Sequence, residues 1–314
     1  MTFLLTSVGR RVELVRHFQA YERREPGRLR VLGTEIDKFA PAAQELGSAL
    51  RQLPRVDDPD YATAMVRLCA DEGIDAIFPL IDPDVEALAR MDVPVAALSA
   101  PAAETVSDKW LTFKWLQARE IPTVNTWLPS DAGATPRNYP VFMKPRRGSG
   151  GKDAFPVRNR HEYDFFRHYI DAPVAQEFLP GKEITADAVV GSKGAILAIA
   201  LRERLAVRGG EVSRGRLIVD HDVEEKVRQV VRDLEPSGPI TVQGMYDESG
   251  VFRVTEINGR MGGGLPLAIE GGLALAQSLT SSWLGEQVTP RGPCDLSPGM
   301  HMARFDQSVF WRVL

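Results

Sequence analysis

Two cysteines in 314 residues, Cys69 and Cys294, are too few and too far apart for a disulfide framework or a cysteine-built zinc site. No Gly-x-Ser-x-Gly turn occurs, and neither thiol has the surroundings of a nucleophile, so covalent catalysis has no candidate. Five histidines show no ligand spacing; His161 and His168, seven apart, fit one helix face without carboxylate or cysteine partners in register. No apolar run reaches membrane-spanning length, and the opening Met1-Thr-Phe-Leu-Leu-Thr-Ser lacks the basic start of a signal peptide. Basic excess is missing too: a net charge of -4 argues against a general nucleic-acid or anionic-membrane binder. What remains is ordinary soluble composition, 44% apolar and 25% charged, long enough for two or three cores. The chain reads as a cytoplasmic protein with no nucleic-acid or membrane partner.

Residues 1–106 alternate strand and helix signals. Phe3-Leu-Leu-Thr, Val31-Leu-Gly-Thr-Glu-Ile and the run from Ile74 to Ile81 read as buried strands. Between them, Ser7 is placed to cap a helix with Val12, Val15, Phe18 and Tyr21 inward, and Asp58-Pro-Asp to start one burying Tyr61, Met65, Leu68 and Cys69. Strands separated by helices of this length imply a parallel, Rossmann-like sheet. Its first turn, Thr6-Ser-Val-Gly-Arg-Arg, carries one glycine instead of Gly-x-Gly-x-x-Gly, which argues against a dinucleotide. Asp37 and Asp82 close strands, where each either lines a cleft or caps a helix.

From Ser107 the chemistry thickens. Ser107 to Leu116 reads as an amphipathic helix. The strand Pro140-Val-Phe-Met then delivers Lys144 into Arg146-Arg-Gly-Ser-Gly-Gly-Lys, setting an ammonium beside glycine-rich backbone N–H groups that suit phosphates. Walker spacing is absent. Gln176-Glu-Phe-Leu-Pro-Gly-Lys-Glu is extended on both sides of a turn; such a segment offers backbone groups to an adenine edge and carboxylates, Glu177 and Glu183, to a ribose. A hairpin follows, ending in Arg208-Gly-Gly-Glu-Val-Ser-Arg-Gly-Arg, a polar run that reads as a mobile loop. Asp220 to Leu234 carries a valine stripe at helical spacing.

Two strands, Pro239 to Tyr246 and Val251 to Asn258, pair to bring Gln243 near Glu256. Residues two apart on a strand share a face, so Glu256 and Asn258 project together as two hard oxygen ligands for Mg²⁺ holding a polyphosphate. Arg260 follows as a clamp for a phosphoryl oxygen. Alone, the stretch is equally a polar strand end running into glycines. Leu265 to Trp283 reads as one helix and Met300 to Trp311 as a closing strand.

In this order the parts resemble the ATP-grasp superfamily, in the branch similar to one synthetase half of the carbamoyl-phosphate synthetase large chain, over nearly the whole sequence. The resemblance implies an α/β and α+β fold: a pre-ATP-grasp Rossmann-like domain (1–106), a small central lid (107–175) and a C-terminal antiparallel-sheet domain (176–314). It implies ATP with Mg²⁺ or Mn²⁺ as cofactors. Lys109 and Lys144 would meet the phosphates under Gly148, Ser149, Gly150 and Gly151. Glu177, Phe178 and Leu179 would meet the adenine and Glu183 the ribose. Glu256 and Asn258 would ligate the metal with Gln243 as helper, and Arg260 would join Lys144 in stabilising the transferred phosphoryl group. The implied reaction joins a carboxylate, activated as an acyl phosphate, to an amine, with amino acids as the expected substrates. Arg202, Arg204 and Arg208 stand either to hold a substrate carboxylate or as solvated strand ends. Bicarbonate as the phosphate acceptor, and a nucleotide-binding regulatory subunit without turnover, are the other readings. Only one synthetase half is present, with no glutaminase partner domain, which argues against complete carbamoyl phosphate synthesis. A homodimer is the default oligomeric expectation.

Overall fold

Continuous apolar runs set the first sheet. β1 (Thr2–Thr6) is buried on both faces because Phe3, Leu4 and Leu5 leave neither side polar. In the computed structural model, which describes residues 1–131 and 135–312, it lies inside a four-stranded parallel sheet ordered β3-β2-β1-β4. The partners are β2 (Arg30–Glu35), β3 (Leu50–Gln52) and β4 (Ala76–Pro79). Helices α1 (Val12–Arg24), α2 (Pro41–Leu46), α3 (Tyr61–Glu72) and α4 (Asp82–Ala89) connect and follow these strands. The half-buried, three-residue β3 carries no alternation for a sequence pattern to detect.

Ser7 caps nothing: it takes a positive φ of 51° in the turn, and α1 starts after Arg11 with no side-chain cap. The loop is held instead by Glu35, whose carboxylate accepts from Gly9 N at 2.7 Å and Ile36 N at 2.8 Å. That acidic side chain at the end of β2 is spent on backbone.

After α5 (Ala100–Ser107) and α6 (Lys109–Gln117), a smaller antiparallel sheet ordered β5-β8-β6-β7 combines β5 (Thr126–Trp127), β6 (Val141–Pro145), β7 (Phe155–Val157) and β8 (Pro173–Glu177). Helix α7 (Arg160–Tyr169), capped by Asn159, buries Tyr163 on its sheet.

The largest sheet has six strands ordered β13-β12-β9-β10-β11-β14. It contains β9 (Glu183–Val190), β10 (Ile196–Arg208), β11 (Glu211–Ile218), β12 (Ile240–Tyr246), β13 (Phe252–Asn258) and β14 (His301–Ala303). Helix α8 (His221–Leu234) lays Val223, Val227, Val230 and Val231 on it, capped by Asp220. The polar run from Arg208 is strand rather than loop: β10 and β11 meet at Gly209-Gly210, both at positive φ, the two-residue turn that strand twist favours. The expected long helix is two, α9 (Leu265–Glu270) and α10 (Leu275–Trp283), parted where Gly272 adopts φ 107°. The expected strand over Met300–Trp311 pairs only through His301–Ala303; beyond it, Trp311 stacks on Phe39 at 6.3 Å.

The parallel and six-stranded sheets share a core, and α1 packs on α9 and α10. His17 on α1 accepts from Ala276 N at 3.2 Å; burial lowers its pKa to about 4, so it stays neutral there. Gly238 is a tight seam, since an added Cβ would stand 1.9 Å from the Ala96 carbonyl oxygen. Gly238→Ala should therefore cost about 1–3 kcal/mol through forced backbone movement, read as a lowered midpoint in urea unfolding.

Candidate active site

Register across the six-stranded sheet assembles the polar face. Gln243 pairs with both Glu256 and Thr185, and Thr185 pairs with Arg202, so these four form one row. One step along, Asn258, Thr241 and Asp187 form a second row. Period-two alternation aims both rows at the same side. Beside Glu183, the polar positions Thr185 and Asp187 on the otherwise apolar β9 mark the same face and carry a signal in the sequence.

Over this face lies a cavity of about 610 Å³. Lys109, Lys144, Gly148, Ser149, Gly150, Gly151, Glu177, Phe178, Leu179, Glu183, Arg202, Arg204, Gln243, Glu256, Asn258 and Arg260 all line it. Of the residues that the resemblance assigned to the site and its substrate side, Arg208 lies elsewhere: its guanidinium pairs with Asp306 at 2.6 Å, out in solvent. Asp82 also lines the cavity and Asp37 does not.

Lys144 ends β6 almost wholly buried; desolvation pulls its pKa down to about 8, with Lys109 adding to that and Glu256 and Glu183 opposing it. Lys109, first residue of α6, donates from Nζ to the Gly148 carbonyl at 2.8 Å and so ties down the glycine loop. Asp108 caps α6 and holds Arg146 at 2.7 Å, fixing the other flank. Opposite, Gly210 presses on the loop so closely that a Cβ there would stand 2.2 Å from Gly150 O. Glu177 turns its carboxylate to Asn125 N at 3.1 Å, beside half-exposed Phe178 and buried Leu179.

Arg202 and Arg204, expected either to hold a carboxylate or to be solvated strand ends, are each paired within the protein. Arg202 is buried in a bidentate pair with Asp187, at 2.6 and 3.1 Å. Arg204 is held by Glu183 at 2.5 Å and by Gly210 O at 3.1 Å. Breaking the first pair strands a buried cation, so Asp187→Ala should cost about 3–5 kcal/mol in denaturant unfolding, while Asp187→Asn should cost less. The glycines after Met261 admit the Arg202 guanidinium: a Cβ on Gly264 would lie 2.0 Å from its Nη1.

Arg260 reaches across to α4 and binds both oxygens of Asp82, at 2.6 and 2.8 Å. The amide of Asn258 meets Asp82 Oδ1 at 3.1 Å and Glu256 Oε1 at 3.2 Å. With NH₂ turned toward them it donates to both; turned the other way, three oxygens converge on one point. Among the described residues no group of three His, Cys, Asp or Glu side chains has metal-binding geometry. A divalent ion held here would need the Asn258 amide oxygen and ligand oxygens beside Glu256, a set that fits Mg²⁺, an ion that keeps few protein ligands beside phosphates.

Comparison with known proteins agrees with this arrangement. An ATP-grasp domain family model matches residues 106–264, just over half of the chain, and a PylC-like N-terminal domain model matches residues 3–101. The chain belongs to the ATP-grasp family. The carbamoyl-phosphate synthase of Methanobrevibacter smithii is 26% identical over 141 residues, 41% of this chain and 38% of that protein. The aligned part thus spans well under half of that relative's length. N5-carboxyaminoimidazole synthetase from Staphylococcus aureus, solved with ADP, superposes with a TM-score of 0.74 at 16% identity, covering 92% of this chain and 79% of its own. Biotin carboxylase from Campylobacter jejuni gives 0.72 at 15% identity (96% and 74% covered), and the L-amino acid ligase from Bacillus licheniformis 0.68 at 18% (90% and 74%). At these identities the likeness is one of fold. Among the described residues no helix is long and apolar enough to cross a membrane.

Proposed function

We propose that the protein is an ATP- and Mg²⁺-dependent carboxylate–amine ligase for small molecules, amino acids among them. The observation that carries this reading is the corner where the Asn258 amide meets carboxylate oxygens of Glu256 and Asp82 in the same cavity as Lys109 and Lys144. On this reading residues 1–106, 107–175 and 176–314 act as acceptor-side, lid and catalytic units. Lys109 and Lys144 meet the triphosphate under the loop Gly148–Gly151, and Glu177 to Leu179 with Glu183 receive the nucleoside. Glu256 and Asn258 would hold Mg²⁺ with Gln243 alongside; when bound, the ion neutralises phosphate charge. Arg260, fixed by Asp82, faces the transferred group.

The acceptor carboxylate oxygen attacks the γ-phosphorus, and the bond to the bridging oxygen breaks as ADP leaves. The amine lone pair then forms the C–N bond while inorganic phosphate departs, and the ammonium proton passes to solvent. A carboxylate is already a nucleophile, so the first step needs no general base, and positioning with charge stabilisation supplies the catalysis. The likeness to a carbamoyl-phosphate synthase over 141 residues favours bicarbonate as the alternative acid. ADP release measured across amino acids, other carboxylates and bicarbonate, each with ammonium or an amine, separates the two. Release with a carboxylate and an amine supports ligation, bicarbonate-only release supports the alternative, and MgATP binding without release under any pairing would leave a non-catalytic nucleotide binder.

A further inference from the structure

Three guanidiniums line the acceptor part of the cavity, beside Asp82 and Gly262–Gly264: Arg11, Arg202 and Arg260. Two are closed on carboxylates in bidentate pairs, Arg202 on Asp187 and Arg260 on Asp82. Arg11, entering from the start of α1, is not. Its guanidinium makes no hydrogen bond among the described residues, and Nη1 is buried with no acceptor. Its one ion-pair partner among the described residues is Glu211, whose Oε1 lies 3.4 Å from Nη1; that carboxylate is half-exposed at the β10–β11 turn and takes Arg304 on its other oxygen at 3.2 Å. Nη1 rests over Gly263, where a Cβ would stand 2.1 Å from it, so any larger residue at 263 would displace it. Burial lowers the Arg11 pKa; Glu211 opposes that, and Arg260 and Arg304 add to it. A largely desolvated cation with unused donors beside two further arginines is unfavourable until an anion arrives.

We propose that Arg11 anchors a carboxylate of the acceptor substrate other than the one that is phosphorylated, so that the acid consumed carries two carboxylates: a dicarboxylic acid, which includes an amino acid with an acidic side chain held by its α-carboxylate. This rests on the ligase reading, which supplies the activated carboxylate; Arg11 supplies the second contact and hence selectivity. The planar fork of arginine matches a carboxylate through two parallel N–H donors, which lysine does not reproduce.

The test is thermal unfolding of the full chain, wild type and Arg11→Met, in chloride-free buffer with succinate as the probe and propionate at equal ionic strength as control. Succinate should raise the wild-type Tm by about 2–4 °C near saturation, propionate should do clearly less, and Arg11→Met should lose the succinate shift. Without ligand, Arg11→Met should unfold close to wild type, because the one pair it removes, to half-exposed Glu211, lacks a hydrogen bond. If Arg11→Met does not fold, Arg11→Lys serves, with a succinate shift reduced at least severalfold. The same succinate response in wild type and variant, including no response in either, overturns the proposal. Calorimetric MgATP binding to the wild-type protein reports separately: its absence ends the ligase reading, whatever succinate does.

Discussion

Glu256→Ala is expected to lower the rate of ADP release at least about 100-fold, since even loss of an outer-shell partner of a metal ligand costs roughly 10–100-fold. The cause is local: Glu256 and Asn258 share one face of β13, and removing the carboxylate leaves the amide as the remaining oxygen donor of that strand. Folding should be nearly unaffected, because the lost side chain borders a cavity and the apolar core beneath β13 is untouched. Steady-state assays with Mg²⁺ titrated to high concentration check the assignment. Near-normal turnover at ordinary Mg²⁺ would remove Glu256 from the metal site.

Lys144→Met should lower kcat by about 10²–10³-fold, the loss associated with one preorganised donor at developing charge. The wild-type lysine also makes a distinctive pH prediction. Its pKa is lowered from 10.5 to about 8 by burial, so between those values the folded apo protein binds fewer protons than the unfolded chain. Stability contributed by this group therefore rises as pH increases through that window. Nucleotide binding has the opposite preference, because phosphates want the ammonium form. Above pH 8 binding must recharge Lys144, so affinity falls with pH and each binding event takes up a fraction of a proton. Calorimetric enthalpies in buffers of different ionisation heat read that uptake directly. They should diverge at pH 8.5, converge at pH 6.5, and show no Lys144 component in Lys144→Met.

Both predictions use residues whose placement was legible from sequence, and the reason is that their elements are strongly patterned. The two-residue period on β13 put Glu256 and Asn258 together, and an apolar strand running into glycines marked Lys144. The pairing of β12 with β13 brought Gln243 opposite Glu256 as expected. Contacts between distant segments were not legible. Asp82 was noted only as a cap or cleft residue, although it closes on Arg260 across 178 positions of sequence. Arg11 gave no local signal, because its role arises where α1 meets the Gly262–Gly264 turn. Polarity of the run at Arg208 signals exposure and not loop structure: a long hairpin projecting from a sheet is polar at its tip while keeping its ladder. The break between α9 and α10 was visible as Gly271-Gly272 and was outvoted by the apolar periodicity on either side.

Calorimetric titration of the protein with a non-hydrolysable ATP analogue in the presence of Mg²⁺ tests the site most directly. One site per chain is expected, weakened at least tenfold by omitting Mg²⁺ or by Glu256→Ala. Absence of binding, or equal binding in all three experiments, would contradict a nucleotide and metal held between the glycine loop and the Glu256–Asn258 strand end.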